Sequence, residues 1–183
     1  TSGRPGPVLI DIPKDILNQK SDWIEPGPLE LPGYKPTLDP NPKMIQQAAN
    51  LIKNSKKPIL YVGGGIIHSK ANKELFDLAT KFNIPVVTTL MGRGAFPDGH
   101  ELCLEMPGMH GNYTATTSIQ KSDLLVAIGV RFDDRVTANP SFFAQNAKVI
   151  HADIDPAEIG KVREAQVPIV GDAKSVILGL IDA

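Results

Sequence analysis

The sequence has 183 residues, of which 42% are hydrophobic and 21% are charged, as is typical of one globular domain with a little left over. Nineteen basic residues are interspersed with twenty acidic ones, which argues against a nucleic-acid-binding surface. A single cysteine excludes an intrachain disulfide, and no apolar run approaches the roughly 20 residues that span a bilayer, so we expect no nucleic acid and no membrane among the partners.

Composition divides the chain into three parts. Residues 7–12 form an apolar run closed by Pro13, which predicts a buried strand. We assign residues 1–20 to the end of a preceding domain, because the chain enters this run without an initiator methionine or a leader. Residues 21–40 are rich in proline, which removes backbone donors and blocks helices, so they are predicted to be an extended linker. Residues 41–183 form the main domain.

Within the main domain, helices and strands are predicted to alternate. Runs rich in Val and Ile predict strands at 58–65, 84–90, 124–132, 148–155 and 167–172. Helices are predicted from apolar spacing or capping side chains at Asn41-Pro42, 75–82, 112–121, Asn139-Pro140, Asp155-Pro156 and Asp172. Apolar strands that alternate with helices predict a parallel sheet covered on both faces. The expected fold is α/β, a Rossmann-like doubly wound parallel sheet.

Ligands of such a sheet bind outside the carboxyl ends of its strands. Glycines, arginines and carboxylates follow the predicted strands there. They are Gly63, Gly64 and Gly65; Gly92; Gly129, Arg131, Asp133, Asp134 and Arg135; Asp153 and Asp155; and Gly171 and Asp172. Glycine permits close backbone approach, arginine binds phosphate and carboxylates bind ribose hydroxyls. These are the parts of a dinucleotide site.

Each part also has a purely structural interpretation. The Gly63–Gly65 run matches neither GxGxxG nor a Walker P-loop, and it could be only a tight turn. Asp155 and Asp172 could be helix caps, and Arg131 and Arg135 could form surface ion pairs.

Nothing in the sequence predicts a catalytic residue or a metal site within the chain. Asp133 and Asp134 would point opposite ways on an extended segment, which argues against a shared acid–base role. His151 lies inside a predicted strand, as a core histidine would. Cys103, His110 and His151 lack metal-ligand spacing, and no nucleophile motif is present.

Several longer strings carry a family resemblance. They are SGRPGPVLIDIPKD (2–15), GAFP (94–97), PGMHG (107–111), GVRFDDRVT (129–137), HADIDPAEI (151–159) and GDA (171–173). In this order and spacing they resemble the acetohydroxyacid synthase (acetolactate synthase) family of thiamine-diphosphate-dependent enzymes. The resemblance covers essentially the whole chain, which it identifies as the central FAD-binding domain of the catalytic large subunit. Residues 1–20 would end the preceding pyrimidine-binding domain.

The resemblance implies the activity of a longer enzyme. That enzyme decarboxylates pyruvate and joins the product to a second 2-oxo acid, in branched-chain amino acid biosynthesis. FAD would do no net redox work, and thiamine diphosphate and Mg²⁺ would bind outside this chain. A homodimer or tetramer with a regulatory small subunit is implied, cytoplasmic in a bacterium or within an organelle in a eukaryote. The chain alone is expected to be inactive and to bind FAD weakly.

Residue by residue, the resemblance implies a set of FAD contacts. They are Arg4, Gly63, Gly64, Gly65, Met109, His110, Gly111, Gly129, Arg131, Asp133, Arg135, Asp153, Ile154 and Asp172. Met109, Asp134 and Arg135 would face the active-site channel, and Asp153 and Asp172 would lie at the adenosine end.

Two positions depart from the family pattern. Arg93 stands where a smaller or aliphatic residue is expected, and Ala138 stands where glycine is commoner. The second departure matters if the turn needs a positive φ. Two alternatives remain open: a pyruvate oxidase-like domain, in which FAD is reduced, and a structural middle domain without flavin.

Overall fold

The structure is a computed structural model that describes residues 3–28 and 31–183. It contains two units, one ending at Pro36 and the other spanning Thr37–Ala183. In the first unit the described residues form one short helix, α1 (Lys14–Leu17). Across the described ranges, no helix is both long and apolar enough to cross a membrane.

The strand predicted at residues 7–12 is wrong. Val8, Leu9 and Ile10 are 76–93% exposed, and the five strands that the structure describes all lie in the second unit. An apolar run becomes a strand only where a neighbouring strand satisfies its backbone donors and acceptors. None of the strands described here pairs with this segment, which has no regular secondary structure.

The second unit is built on one parallel sheet in the order β2-β1-β3-β4-β5. Its strands are β1 (Pro58–Val62), β2 (Val86–Thr88), β3 (Leu124–Ile128), β4 (Lys148–Asp153) and β5 (Val167–Val170). Every residue of β2 and β3 is buried, which explains their apolar composition without alternation. The chain reverses direction across the sheet between β1 and β3, and this switch point is where such sheets bind ligands.

Helices cover both faces of the sheet, as predicted. The helices are α2 (Pro42–Asn54), α3 (Gly64–His68), α4 (Asn72–Phe82), α5 (Tyr113–Lys121), α6 (Asp134–Thr137) and α7 (Ala173–Asp182). Buried residues of α2, α3, α4 and α7 share one core cluster with Leu60 and Val126. Buried residues of α5 share the other with Tyr61 and Leu125, together with Phe132 and Phe143. The predicted doubly wound α/β fold is therefore confirmed.

Caps predicted from the sequence begin several helices. The side chain of Asn41 accepts from the Lys43 N–H at the start of α2, and Asp172 accepts from the N–H groups of Lys174 and Ser175 at the start of α7. Asn139 caps a short 3₁₀ turn, Pro140–Phe142.

The helix predicted after Asp155 is wrong. Residues 156–160 form turns instead, and the Asp155 side chain accepts from the Ala157 N–H at 3.0 Å. Gly160 has a φ of +76°, which interrupts a helix after one turn.

Candidate functional site

Three glycines meet at the switch point between β1 and β3. The Gly65 N–H donates to the Gly129 carbonyl oxygen at 3.0 Å. A Cβ added to Gly63 would lie 2.5 Å from that oxygen, and one added to Gly65 would lie 2.5 Å from the Gly129 Cα. The turn after β1 thus packs directly on the turn after β3, so Gly63, Gly65 and Gly129 are explained by contacts within the protein.

Gly64 differs from its two neighbours. A Cβ added there would meet Met91 at 3.4 Å, an ordinary contact distance. The adjacent turn after β2 is held closed by Gly92, where an added Cβ would lie 2.8 Å from the Val62 carbonyl oxygen. Of the Gly63–Gly65 run, only Gly64 would accept a Cβ without a clash against another part of the backbone.

The segment after β3 folds into a short helix rather than staying extended. Asp133 caps α6, and its carboxylate accepts from the Arg135 N–H at 3.1 Å and pairs with Arg131 at 2.8 Å. The pKa of Asp133 is lowered by the Arg135 hydrogen bond first, then by Asp134 and by the charges of Arg131 and Arg135. The prediction that Asp133 and Asp134 lie on an extended segment is wrong, since Asp134 is the first residue of α6.

The loop around Met109 docks on this segment. The Met109 N–H donates to the Arg135 carbonyl oxygen at 2.9 Å, and Gly108, with a φ of +94°, leaves no room for a Cβ beside that same oxygen. The side chains of Met109, Asp134 and Arg135 are exposed. The structure therefore brings together the three residues for which the resemblance implies an active-site channel.

The carboxyl ends of β4 and β5 carry the predicted adenosine-end residues. Asp153 ends β4, is half-buried, and accepts from the Asp155 N–H at 2.9 Å. The Asp172 carboxylate caps α7. The Asp172 backbone N–H donates to the Leu38 carbonyl oxygen at 2.8 Å. Residues 37–40 thus cross this edge beside Gly171, a contact that no sequence pattern indicated.

His151 is fully buried, as predicted for a core histidine. Its Nε2 lies 2.8 Å from the Val130 carbonyl oxygen, and its ring meets Phe132 edge-on with centroids 5.1 Å apart. Burial lowers the pKa of His151. His151 therefore contacts two residues of the segment after β3, Val130 and Phe132.

The remaining residues of the predicted FAD contact set differ in exposure. Arg4 is exposed in the first unit, His110 is exposed, and Gly111 and Ile154 are half-buried in the second. Arg93, which departs from the family pattern, pairs with Asp98 at 2.8 Å within its own loop. The described residues bring together no group of three His, Cys, Asp or Glu side chains placed to hold a metal ion.

Ala138 occupies a conformation that glycine adopts more easily. It follows α6 with a φ of 50° and a ψ of −114°, and its departure from the family pattern therefore carries strain. We expect Ala138→Gly to raise the free energy of unfolding by about 1 kcal/mol, because the relieved strain exceeds the added entropy of the unfolded chain. Urea unfolding checks this. Ala157→Gly, at an exposed turn residue without a positive φ, should instead lose stability.

Comparison with known proteins agrees with this architecture. The family described as thiamine pyrophosphate enzyme, central domain, matches residues 45–180. The acetolactate synthase large subunit of Corynebacterium glutamicum is 56% identical over 181 residues, 99% of this chain and 29% of that protein. Its Mycobacterium tuberculosis counterpart is 59% identical over 180 residues, 98% of this chain and 29% of that protein. The probable acetolactate synthase large subunit of Methanocaldococcus jannaschii is 52% identical over 186 residues, 100% of this chain and 32% of that protein.

The chain thus spans about a third or less of the length of these relatives, and the predicted resemblance is confirmed. The family match covers β1 to β5 with their intervening helices, the same residues that form the parallel sheet and its carboxyl edge. The chain belongs to the family of thiamine pyrophosphate enzyme central domains.

Proposed function

We propose that this chain is the central domain of an acetolactate synthase and that it binds FAD at the carboxyl edge of its sheet. The longer enzyme would decarboxylate pyruvate and condense the product with a second 2-oxo acid. The names of the relatives support the activity. The observation that supports the site is the docking of the Met109 loop on the segment from Gly129 to Arg135, beside the switch point.

The residues at this edge fit the chemistry of FAD. Arg131 and Arg135 are exposed and can bind the diphosphate, since guanidinium groups bind phosphate oxygens in pairs. Gly64 is half-buried and its Cβ position does not pack against Gly129, so its backbone would contact the diphosphate. Met109 is 64% exposed and offers a polarizable apolar surface to the flavin ring. Asp153 would accept from a ribose hydroxyl. FAD supplies no net electron transfer to the proposed reaction.

The other predicted contacts have structural duties as well. Gly63, Gly65 and Gly129 close the switch point, and one oxygen of Asp172 is engaged by the α7 cap. These four residues would contact FAD in addition to making these contacts within the protein. Arg4 and the His110–Gly111 loop stay in the proposed contact set on the resemblance alone.

FAD titration, followed by flavin fluorescence and calorimetry, tests the site. We expect saturable one-to-one binding that is weak for the 183-residue chain and tighter for the full-length protein, whose other domains would complete the crevice. Arg131→Ala should weaken binding about ten- to a hundredfold, since a hydrogen bond between charged groups contributes roughly 1.5–3 kcal/mol. Asp153→Ala should weaken it less.

The ion pair between Arg131 and Asp133 supplies the matched control. Asp133→Asn keeps the cap, because asparagine also accepts from the Arg135 N–H, but it removes the charge that pairs with Arg131. If Arg131 acts only through Asp133, which is itself in the proposed contact set, both variants should weaken FAD binding equally. If Arg131 binds phosphate, Arg131→Ala should be the weaker binder by a clear margin.

A structural middle domain without flavin is the second candidate. It is favoured by the internal contacts that already explain Gly63, Gly65, Gly129 and Asp172. Failure of the full-length protein to retain any flavin would support it. Flavin that bleaches when pyruvate is added would instead support a pyruvate oxidase-like domain.

The rest of the enzyme is proposed from the family. Residues 1–20 would complete a pyrimidine-binding domain, consistent with the exposed apolar side chains of Val8, Leu9 and Ile10, and residues 21–40 would link it to the central domain. Thiamine diphosphate and Mg²⁺ would bind outside this chain. The enzyme would be a homodimer or tetramer with a regulatory small subunit, in the cytoplasm of a bacterium or in a eukaryotic organelle.

A further inference from the structure

We propose that His151 is a positioning residue: its neutral imidazole holds residues 129–137 over the sheet through Val130, and its protonation releases them. The consequence for FAD rests on the proposed function, whereas the holding of the segment does not.

The geometry fixes the tautomer of His151. A carbonyl oxygen can only accept, so the Nε2 that lies 2.8 Å from the Val130 oxygen must carry the proton. His151 pairs with Ala127 in the sheet, and Ala127 pairs with Tyr61 on its other side. Phe132 covers this row, with ring centroids 5.1 Å from His151 and 5.7 Å from Tyr61. One side chain thus anchors both Val130 and Phe132 beneath the segment that carries Arg131, Asp134 and Arg135.

The second ring nitrogen of His151 makes its contacts with Val130 and Phe132 sensitive to acid. Nδ1 is buried and has no hydrogen-bond partner among the residues that the structure describes. A proton there would create a buried charge and a donor without an acceptor, which costs free energy unless the segment moves to admit water. Protonation of His151 therefore destabilises the arrangement in which residues 129–137 are held through Val130.

The surrounding groups set the direction of the pH dependence. Burial lowers the pKa of His151 most strongly, whereas the Val130 hydrogen bond and the charges of Asp153 and Glu158 raise it. Tyr61 is the titratable group on β1; its own pKa is raised by burial and by Asp133, so it stays neutral. Because the folded pKa of His151 lies below the unfolded value of about 6.5, the unfolded chain binds more protons. The stabilisation is complete above about pH 6.5 and is lost as the pH falls through the folded pKa.

Hydrogen exchange tests the holding of the segment in the 183-residue chain. Gln places its amide nitrogen as far from the backbone as the histidine Nε2 but does not titrate, whereas Asn is too short to reach Val130. After correction for intrinsic exchange, we expect the amides of 129–138 to lose about tenfold more protection in wild type than in His151→Gln between pH 7.5 and 5.5. His151→Asn should be less protected at both pH values. Equal pH dependence in wild type and His151→Gln would overturn the proposal.

Nuclear magnetic resonance of the wild-type chain keeps the test independent of how the variants fold. The imidazole nitrogens should show the Nε2–H tautomer, and the amide shifts of 130–138 should follow the titration of His151. An Nδ1–H tautomer, or amides that do not follow the titration, would contradict the proposal.

FAD release from the full-length protein then separates this inference from the proposed function. If the flavin site is correct, wild type should release FAD on acidification over pH 7.5 to 5.5 and His151→Gln should retain it. A protein that binds no FAD at any pH would refute the flavin site and leave the exchange result standing. FAD release that is identical in wild type and His151→Gln would refute the role of His151 in flavin retention.

Discussion

Gly129→Ala is expected to lower the free energy of unfolding by about 3 kcal/mol, the largest loss we predict for a single methyl group. The added Cβ would lie 2.6 Å from the Gly65 Cα, a backbone atom that cannot rotate away. Gly129 also has a φ of +58°, where alanine is strained. Urea unfolding of the 183-residue chain, followed by circular dichroism, measures the loss.

Two other glycines separate these causes. Gly94 has a φ of +85° but open space around its Cβ position, so Gly94→Ala should lose only about 1 kcal/mol from backbone strain. Gly99 has open space and no positive φ, so Gly99→Ala should change stability by less than about 0.5 kcal/mol. Gly129→Ala and Gly94→Ala could instead lose equal amounts of stability. The turns after β1 and β3 would then move apart at little cost in free energy, and the contact between Gly65 and Gly129 would not be rigid.

The sheet could be predicted from the sequence because strands buried on both faces are apolar at every position, without polar alternation. β1 and β3 are short runs of apolar residues preceded by polar ones, and burial on both faces requires that composition. The same reasoning failed at residues 7–12, since an apolar run reports a tendency to be buried and not the presence of a partner strand. Strand ends were predicted too late, because Gly63 and Gly129 continue the apolar runs while already turning.

The candidate site was predicted in outline only. Arg131, Asp153 and Asp172 stand at or just beyond the carboxyl ends of strands, which places them at one edge, since parallel strands end together. The sequence interpretation missed that Asp133 caps α6 through a local contact with the Arg135 N–H. It also did not indicate that the Met109 loop docks on Arg135, because that contact joins segments distant in the chain. The strain at Ala138 could be suspected only from its departure from the family pattern.

Asp123→Ala is expected to lower the free energy of unfolding by about 2–3 kcal/mol, because it removes three hydrogen bonds to a charged acceptor. The carboxylate accepts from the Ser55 hydroxyl and from the backbone N–H groups of Lys56 at 2.8 Å and Lys57 at 2.9 Å. The Asp123 backbone joins β1 and β4 as well, through its N–H to Lys57 and its carbonyl oxygen to Lys148. One side chain thus fixes the connection from α2 into β1.

The pH dependence and a pair of variants distinguish this role from simple packing. Burial raises the pKa of Asp123, but the hydrogen bonds from Ser55, Lys56, Lys57 and the Asp123 backbone outweigh burial and lower the pKa overall. The carboxylate is therefore the stabilising form. Its contribution is complete above the unfolded value of about 3.9 and is lost as the pH falls through the folded pKa, so wild type and Asp123→Ala should converge in strong acid. Asp123→Asn should lose an intermediate amount, since its amide nitrogen faces one N–H donor, whereas Ser55→Ala should lose least. A difference between wild type and Asp123→Ala that stays constant down to pH 2 would show that the side chain acts through packing and not through its charge.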